Sequence, residues 1–445
     1  MNGQTLGDGA LDKLQRDAFD YFLKQTNPRN GLVADTTRAG APASITVVGF
    51  ALAAYPVAVE RGFITRDDAV ARVLATLRFF WNSPQGTDPD ATGYQGFYYH
   101  FLDMQTGRRT WDCELSTIDS TFLLAGALTA GLYFNHDSQD ESEIGNLADA
   151  LYRRADWRWA QDRAATVTHG WRPENGFLKY RWEGYDEALL LYVLGLGSPT
   201  HPLPAESYGA GTSTFRWQKL YGLEFLLAGP LFIHQFSHMW IDFRGIQDAF
   251  MRGKGLDYFE NSRQAVYVQQ QYALHNPKGF VGYGEHCWGL TASEGPGWIT
   301  RRVNGVERTF FDYLARGIPD GPDDGTLAPW AVVASLPFAP EIVLSTIQKC
   351  QENYPQTVTS EGFKASFNPT FLDPSQPGGF WTCQLHYGLN QGPIVLMIEN
   401  YRSGFPWRLM QQCPYLVTGL RRAGFVNGWL SNSSDTHDTQ AEPGH

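Results

Sequence analysis

An all-α fold, closed as an (α/α)6 barrel (a toroid of helical hairpins), is predicted by three features of this 445-residue chain. Apolar residues recur at three- and four-residue spacing in many separate segments, helix-start patterns precede several of them, and long Gly- and aromatic-rich loops lie between. Consecutive helices that pack as antiparallel hairpins close into a ring whose loops gather at one end and form a cleft.

The elements follow in order. Leu11, Leu14, Ala18, Tyr21 and Phe22 mark an amphipathic first helix. Thr65 and Asp68 form a capping-box pattern ahead of Val70, Val73, Leu74, Leu77, Phe80 and Trp81. Ser116 and Asp119 repeat it before the run TFLLAGALTAGLYF. Further helices are expected to begin near Glu141, Gly184, Phe215, Gln247, Phe310, Pro340 and Gly392, roughly ten to twelve in all. Strand-like alternation is scarce and confined to short pieces such as Thr166–Thr168. No repeat of solenoid length and no Pro- or Ser-rich linker divides the chain. One domain over 1–430 is expected, with a polar C-terminal tail over 431–445.

Composition narrows the function. Aromatic residues make up 14% of the chain, many beside Gly, Pro, His and acidic residues. Flat C–H faces of sugar rings lie well on Trp and Tyr, while their hydroxyls need polar neighbours, so this mixture suits a saccharide cleft; large helical barrels also bury many aromatics. A net charge of −11 without a Lys/Arg block argues against nucleic-acid and anionic-membrane partners. No 18-residue apolar run is present, so no transmembrane helix is expected. The first fifteen residues lack the basic and apolar regions of a secretory leader, which leaves a cytoplasmic protein, or a periplasmic or secreted one whose leader has been removed. Five dispersed cysteines without a CxxC pair encode neither a disulfide framework nor a zinc site. His234 and His238 stand four apart, but Gln235 follows the first where a zinc protease needs Glu; no metal or cofactor is expected. GxSxG, P-loop and strand-borne GxGxxG motifs are absent.

Two acidic clusters among aromatics fit glycoside cleavage, which uses a pair of carboxyl groups flanking the scissile bond. TWDCELSTIDS carries Trp111, Asp112, Glu114 and Asp119, and RWEGYDEALLL carries Trp182, Glu183, Asp186 and Glu187. Each also has a plain structural explanation: Asp119 completes a capping box, and Asp186 and Glu187 favour the positive end of a helix.

Taken together, GFYYHFLDMQTGRR, ELSTIDSTFLLAGAL, GYDEALLLYVLGLGS, CWGLTASEGPG, DDGTLAPWAVVASLPFAPE and GLNQGPIVLMIENYRSG resemble the bacterial glucoamylase-like family, which includes endo-β-1,2-glucanases and the glucoamylase-like domain of cyclic β-1,2-glucan synthases. The matches run in order from about Phe19 to Trp407. The resemblance implies an (α/α)6 barrel and an inverting, metal-free endo-β-1,2-glucanase. It implies Glu187 as general acid and Asp119 as a second carboxylate in the same cleft. Trp111, Glu114, His286, Trp288, Trp381, Gln391, Glu399, Tyr401 and Arg402 fall in motifs expected to line sugar subsites, although Glu399 and Arg402 could instead pair with each other on a helix. One position departs from the family pattern. Relatives carry an Asp in a GF-x-D-A-F-N segment where this chain reads GFKASFNP, with Ala365 at the carboxylate position. The base is then open among Asp119, Glu114 and Glu361. A transglycosylase and a noncatalytic glycan-binding protein are the alternative readings.

Overall fold

A computed structural model describes residues 7–431. The expected tail over 431–445 therefore lies, apart from Ser431, outside the described residues. Fourteen α-helical segments occur among those described: α1 Asp8–Lys24, α2 Ile45–Glu60, α3 Arg66–Asn82, α4 Thr117–Tyr133, α5 Gln139–Arg154, α6 Leu189–Gly197, α7 Glu206–Thr212, α8 Ala249–Arg252, α9 Tyr258–His275, α10 Pro329–Ala334, α11 Pro340–Asn353, α12 Gly388–Arg402, α13 Phe405–Met410 and α14 Pro414–Arg422. No helix is long and apolar enough to cross a membrane.

Burial divides the helices into two sets. From Ile45 to Ala58, α2 is buried on every side, as are α6 throughout and α4 along most of its length. In contrast, α1, α3, α5, α11 and α14 bury one face and present polar residues on the other. Helix α2 packs on α4 and α12, α4 also on α6, and α10 on α12. Two short 3-10 turns, Leu231–His234 and Ser237–Met239, bridge α6 to α10. Ser237 Oγ donates to Glu187 O at 2.9 Å, and Gln235 Nε2 donates to Ala331 O at 2.7 Å. The buried segments thus follow one another as α2, α4, α6, the two turns, α10 and α12, and return to α2. Outer helices cover the inner ones: α1 on α12, α5 on α4, α14 on α6, α11 on α10.

The α2–α4 crossing depends on two glycines. A Cβ on Gly49 would stand 2.3 Å from Phe122 O, and one on Gly126 2.1 Å from Gly49 O, so only hydrogen at these positions lets the backbones approach. At both expected capping boxes the N-cap half forms, Thr65 accepting from the Asp68 N–H and Ser116 from the Asp119 N–H at 3.2 Å, while each Asp side chain accepts from the N-cap hydroxyl rather than from its backbone N–H.

Strand structure is more abundant than expected, with a five-stranded antiparallel sheet and several two-stranded pairs among the described residues. The helices expected near Phe215 and Phe310 are hairpins instead, pairing Trp217–Leu220 with Leu223–Leu226 and Ile299–Val303 with Val306–Phe310. Tyr221–Gly222 and Asn304–Gly305 supply the two left-handed residues that a tight hairpin turn requires. Helix α6 begins at Leu189, so Asp186 and Glu187 lie just upstream of its first turn.

Candidate active site

A cleft of about 760 Å³ opens where the N-terminal ends of the inner helices converge. Ser44, Ser116 and Tyr387, the N-cap residues of α2, α4 and α12, line it, together with Glu187 ahead of α6 and Trp330 in the first turn of α10. The helix ends bring their partial positive charges to one place, which favours carboxylates there. Asp35, Glu114, Asp119, Glu187, Glu294 and Asp312 all face the cleft, against Arg38 and His100 as the basic groups.

Glu187 sits on the chain just before α6, its backbone carbonyl fixed by Ser237 and its neighbour Asp186 accepting from Ala188 N–H at 2.9 Å. Burial raises the Glu187 carboxyl well above the usual carboxylate range, and the charges of Asp186 and Asp119 push the same way. No described side chain hydrogen-bonds this carboxyl. The raised pKa favours the protonated form of a carboxyl that lines the open cleft.

Asp119 occupies the third position of α4 and is tightly held. Thr46 Oγ1 donates to its Oδ1 and Ser116 Oγ to its Oδ2. His100 stands between two carboxylates, with Nδ1 3.0 Å from Glu114 Oε1 and Nε2 3.5 Å from Asp119 Oδ1. Burial pulls the His100 pKa down, but Asp119 and Glu114 outweigh it and hold it at about 9. Burial raises Glu114, and the His100 hydrogen bond overrides this and leaves it below its ordinary value. Asp35 is lifted to about 6, chiefly by burial, with His100 opposing and Asp119 and Glu294 adding to the rise. The His100, Glu114 and Asp119 ligand atoms lie within 4.8 Å of one another, close enough to share one cation.

Aromatic walls complete the site. Trp182 stacks on His169 at 3.9 Å and donates from Nε1 to Thr117 Oγ1 at 2.9 Å. Trp111 projects at the cleft mouth, 68% exposed, against Phe101. Both Trp111 and Asp112 adopt left-handed backbone, φ +60° and +47°, which is uncommon for an L residue and costly for a bulky one. Arg109 clamps this loop, donating from Nε to Cys113 O at 2.6 Å and from Nη2 to Asp112 O at 2.8 Å, while pairing with Glu174. The strained turn holds the indole out at the mouth of the cleft.

Of the residues singled out from the sequence, Glu187, Asp119, Trp111 and Glu114 meet in the cleft. Trp182 joins them in the cleft wall, whereas Asp112, Glu183, Asp186, His286, Trp288, Trp381, Gln391, Glu399, Tyr401 and Arg402 do not line it. His286 and Trp288 border a separate void of about 10 Å³, and Trp288 Nε1 donates to Thr346 Oγ1 of α11 at 3.1 Å. Trp381 lies in the Phe380–Thr382 strand, packed on small apolar clusters that include Phe371 and Cys383. Gln391 is fully buried, its amide donating to Phe363 O at 3.3 Å. Glu399, Tyr401 and Arg402 stand near the C-terminal end of α12; at 1.5 Å per residue, Glu399 is roughly 18 Å from the cleft end of that helix. Nor do Glu399 and Arg402 pair with each other. Glu399 takes Arg61 at 2.7 Å and Gln15 at 3.1 Å, while Arg402 takes Asp12 at 3.1 Å. Glu399→Ala is therefore expected to lower stability by about 1–3 kcal/mol, because it strips a partner from the half-buried Arg61, with turnover kept within twofold. Thermal melts and steady-state rates on one sample test this; a large loss of turnover in a still-folded variant would return Glu399 to the site.

Ala365 is buried against Cys383 and Tyr387 and does not reach the cleft. A cleft carboxylate touching that segment is Glu294, whose backbone carbonyl accepts from Ser366 Oγ at 2.6 Å and whose side chain accepts from the Tyr387 hydroxyl. Glu361 pairs with Lys24 at 3.0 Å and does not line the cleft, which removes it from the candidates for the base. Asp35, His100, Glu294, Asp312 and Tyr387 were not singled out beforehand, although His100 and Glu294 fall inside the quoted motifs. His234 and His238 are buried and held neutral, at about 4 and about 3, by desolvation.

A ring of buried helices with a carboxylate-rich, aromatic-walled cleft at one end defines a glucoamylase-type scaffold. The Glycoamylase family model matches residues 179–414, more than half of the chain, and the protein belongs to that family. A glucoamylase-assigned protein of Bacteroides uniformis is 31% identical, with 96% of this chain and 100% of that one covered and a TM-score of 0.83. The endo-β-1,2-glucanase of Chitinophaga pinensis, solved with sophorotriose and glucose, is 25% identical over 95% of this chain and 99% of that one, also at a TM-score of 0.83. An exo-β-1,2-glucooligosaccharide sophorohydrolase (non-reducing end) of Parabacteroides distasonis is 28% identical over 448 residues, covering 93% of this chain. This chain spans 57% of that relative's length.

Proposed function

We propose that the protein is a glycoside hydrolase of linear β-1,2-glucan, built as a single (α/α)6 catalytic domain and acting in endo fashion with inversion. One observation carries the reading: Glu187, its carboxyl pushed well above the ordinary carboxylate range by burial and free of side-chain hydrogen bonds, shares its cleft with the tightly braced Asp119–His100–Glu114 array. Glu187 gives its proton to the glycosidic oxygen as the C1–O bond breaks. Water attacks C1 from the opposite face and loses its proton to Asp119. His100, held as an imidazolium, keeps Asp119 oriented, and Trp111 and Trp182 offer faces for sugar rings. Names borne by relatives support the linkage: one is an endo-β-1,2-glucanase and one a β-1,2-glucooligosaccharide hydrolase. Because the second of these acts on chain ends, release of one short product from the non-reducing end is the alternative mode.

Reducing-end release from linear β-1,2-, β-1,3-, β-1,4- and α-1,4-glucans, with and without EDTA, tests the reading. Cleavage of the β-1,2 chain to a range of short linear oligosaccharides, unaffected by the chelator, is expected. A better rate on α-1,4-glucan would sink the substrate assignment, and cyclic or elongated products would replace hydrolysis with transfer. Loss of activity in EDTA restored by a divalent cation would put an ion on the His100–Glu114–Asp119 cluster.

A further inference from the structure

Six aromatic side chains are exposed among the described residues, and four of them line the cleft or stand close in the chain to residues that do. Trp111 and Tyr313 line it, and Tyr180 lies between the lining residues Leu178 and Trp182. The fourth, Trp298, is 70% exposed, the highest value of the six, and has no assigned role. Its ring packs edge-on against Phe311 at 5.1 Å, and Phe311 directly precedes the cleft residues Asp312 and Tyr313. On the other side Trp298 follows Glu294, also in the cleft, by four residues.

The base under Trp298 is rigid. Gly297 N–H donates to Phe311 O at 3.1 Å, and the Ile299–Phe310 pair starts the hairpin beside it. Arg316 and Asp324, both side chains fully buried, form an ion pair at 2.8 Å. Arg316 Nη2 donates to Phe311 O at 3.2 Å and Asp312 O at 3.1 Å, and Asp324 accepts from Phe311 N–H at 2.9 Å. A large indole presented to solvent on a braced support, packed on the residue that precedes the cleft residues Asp312 and Tyr313, needs no reordering to bind a flat apolar face.

We propose that Trp298 is an outer sugar platform, stacking on the C–H face of a glucosyl residue in a chain too long for the cleft, with the hydroxyls left in water. The platform rests on the glucan reading given above. It makes the enzyme prefer polymer to short oligosaccharides, through affinity rather than chemistry.

The test is the ratio of kcat/KM on linear β-1,2-glucan polymer to that on a short β-1,2-oligosaccharide, measured for the wild type, Trp298→Ala and Trp298→Phe. Exposure of the side chain makes both variants foldable, which a melting curve verifies. In Trp298→Ala the ratio falls about five- to tenfold through a higher polymer KM, and Trp298→Phe recovers most of it because a ring remains. A wild type that cleaves neither substrate overturns the glucan reading and the platform together. A wild type that cleaves both, with a ratio unmoved in Trp298→Ala, overturns the platform alone, whether or not oligomeric state changes. A fall in kcat on both substrates equally also overturns it, since that reports damage to the cleft.

Discussion

Glu187→Gln is expected to lower kcat on β-1,2-glucan by about 10²–10⁴-fold, the usual contribution of general acid catalysis. Gln keeps the shape and can still hydrogen-bond the sugar, so oligosaccharide affinity should change little. It has no acidic proton to give. Burial and the nearby Asp186 and Asp119 charges raise the Glu187 pKa, so the active, protonated form persists toward neutral pH. Wild-type activity should therefore decline as pH rises through that raised value, and the variant should lack this limb. A purely helix-start role predicts something else: a loss of a few tenths to 1 kcal/mol of stability with near-normal turnover. Melting temperature, affinity and turnover on one sample separate the two. Retention of more than about a tenth of wild-type turnover would remove Glu187 from the chemistry.

Asp119→Asn is the second large effect, again about 10²–10⁴-fold in kcat, because an amide cannot take the proton of the attacking water. The cap of α4 should survive, since Ser116 accepts from the backbone N–H of residue 119 rather than from its side chain. Stability should fall by no more than about 1 kcal/mol. A second readout ties the residue to the array. Asp119 is the leading influence that raises His100 to about 9, so the imidazole should titrate lower in the variant, as followed by NMR. Near-normal turnover with an unchanged His100 titration would reduce Asp119 to a helix cap. Glu114 and Glu294 would then be the carboxylates to replace next.

Local patterns carried much of this structure. Ser116 and Asp119 at capping spacing, and the apolar run behind them, determined α4 and placed Asp119 in its first turn, because caps and periodicity act over a few residues. The same local logic could have found one missed element. Val303–Asn304–Gly305–Val306 is a two-residue hairpin signal, and Phe310, where the periodicity predicts a helix start, is instead the last residue of the hairpin's second strand. The motif GYDEALLL placed Glu187 just ahead of an apolar helix, and the family match followed from such ordered segments.

What the sequence could not decide was which side chains share the cleft. Glu399 and Arg402 lie in the most distinctive motif, yet the length of α12 carries them to the far end of the ring, where they brace α1 and Arg61. Ala365 stands at a position expected to bear a carboxylate and is a packing residue under Tyr387. His100 became a central group only because the strand before it and the start of α4 bring Glu114 and Asp119 to its two nitrogens. A pKa is set by burial and charges within a few ångströms, whatever their separation along the chain. Sequence determined most of the helices and the family; the packing of the inner helices alone determined which carboxylates meet, and which of them burial pushes toward the protonated form.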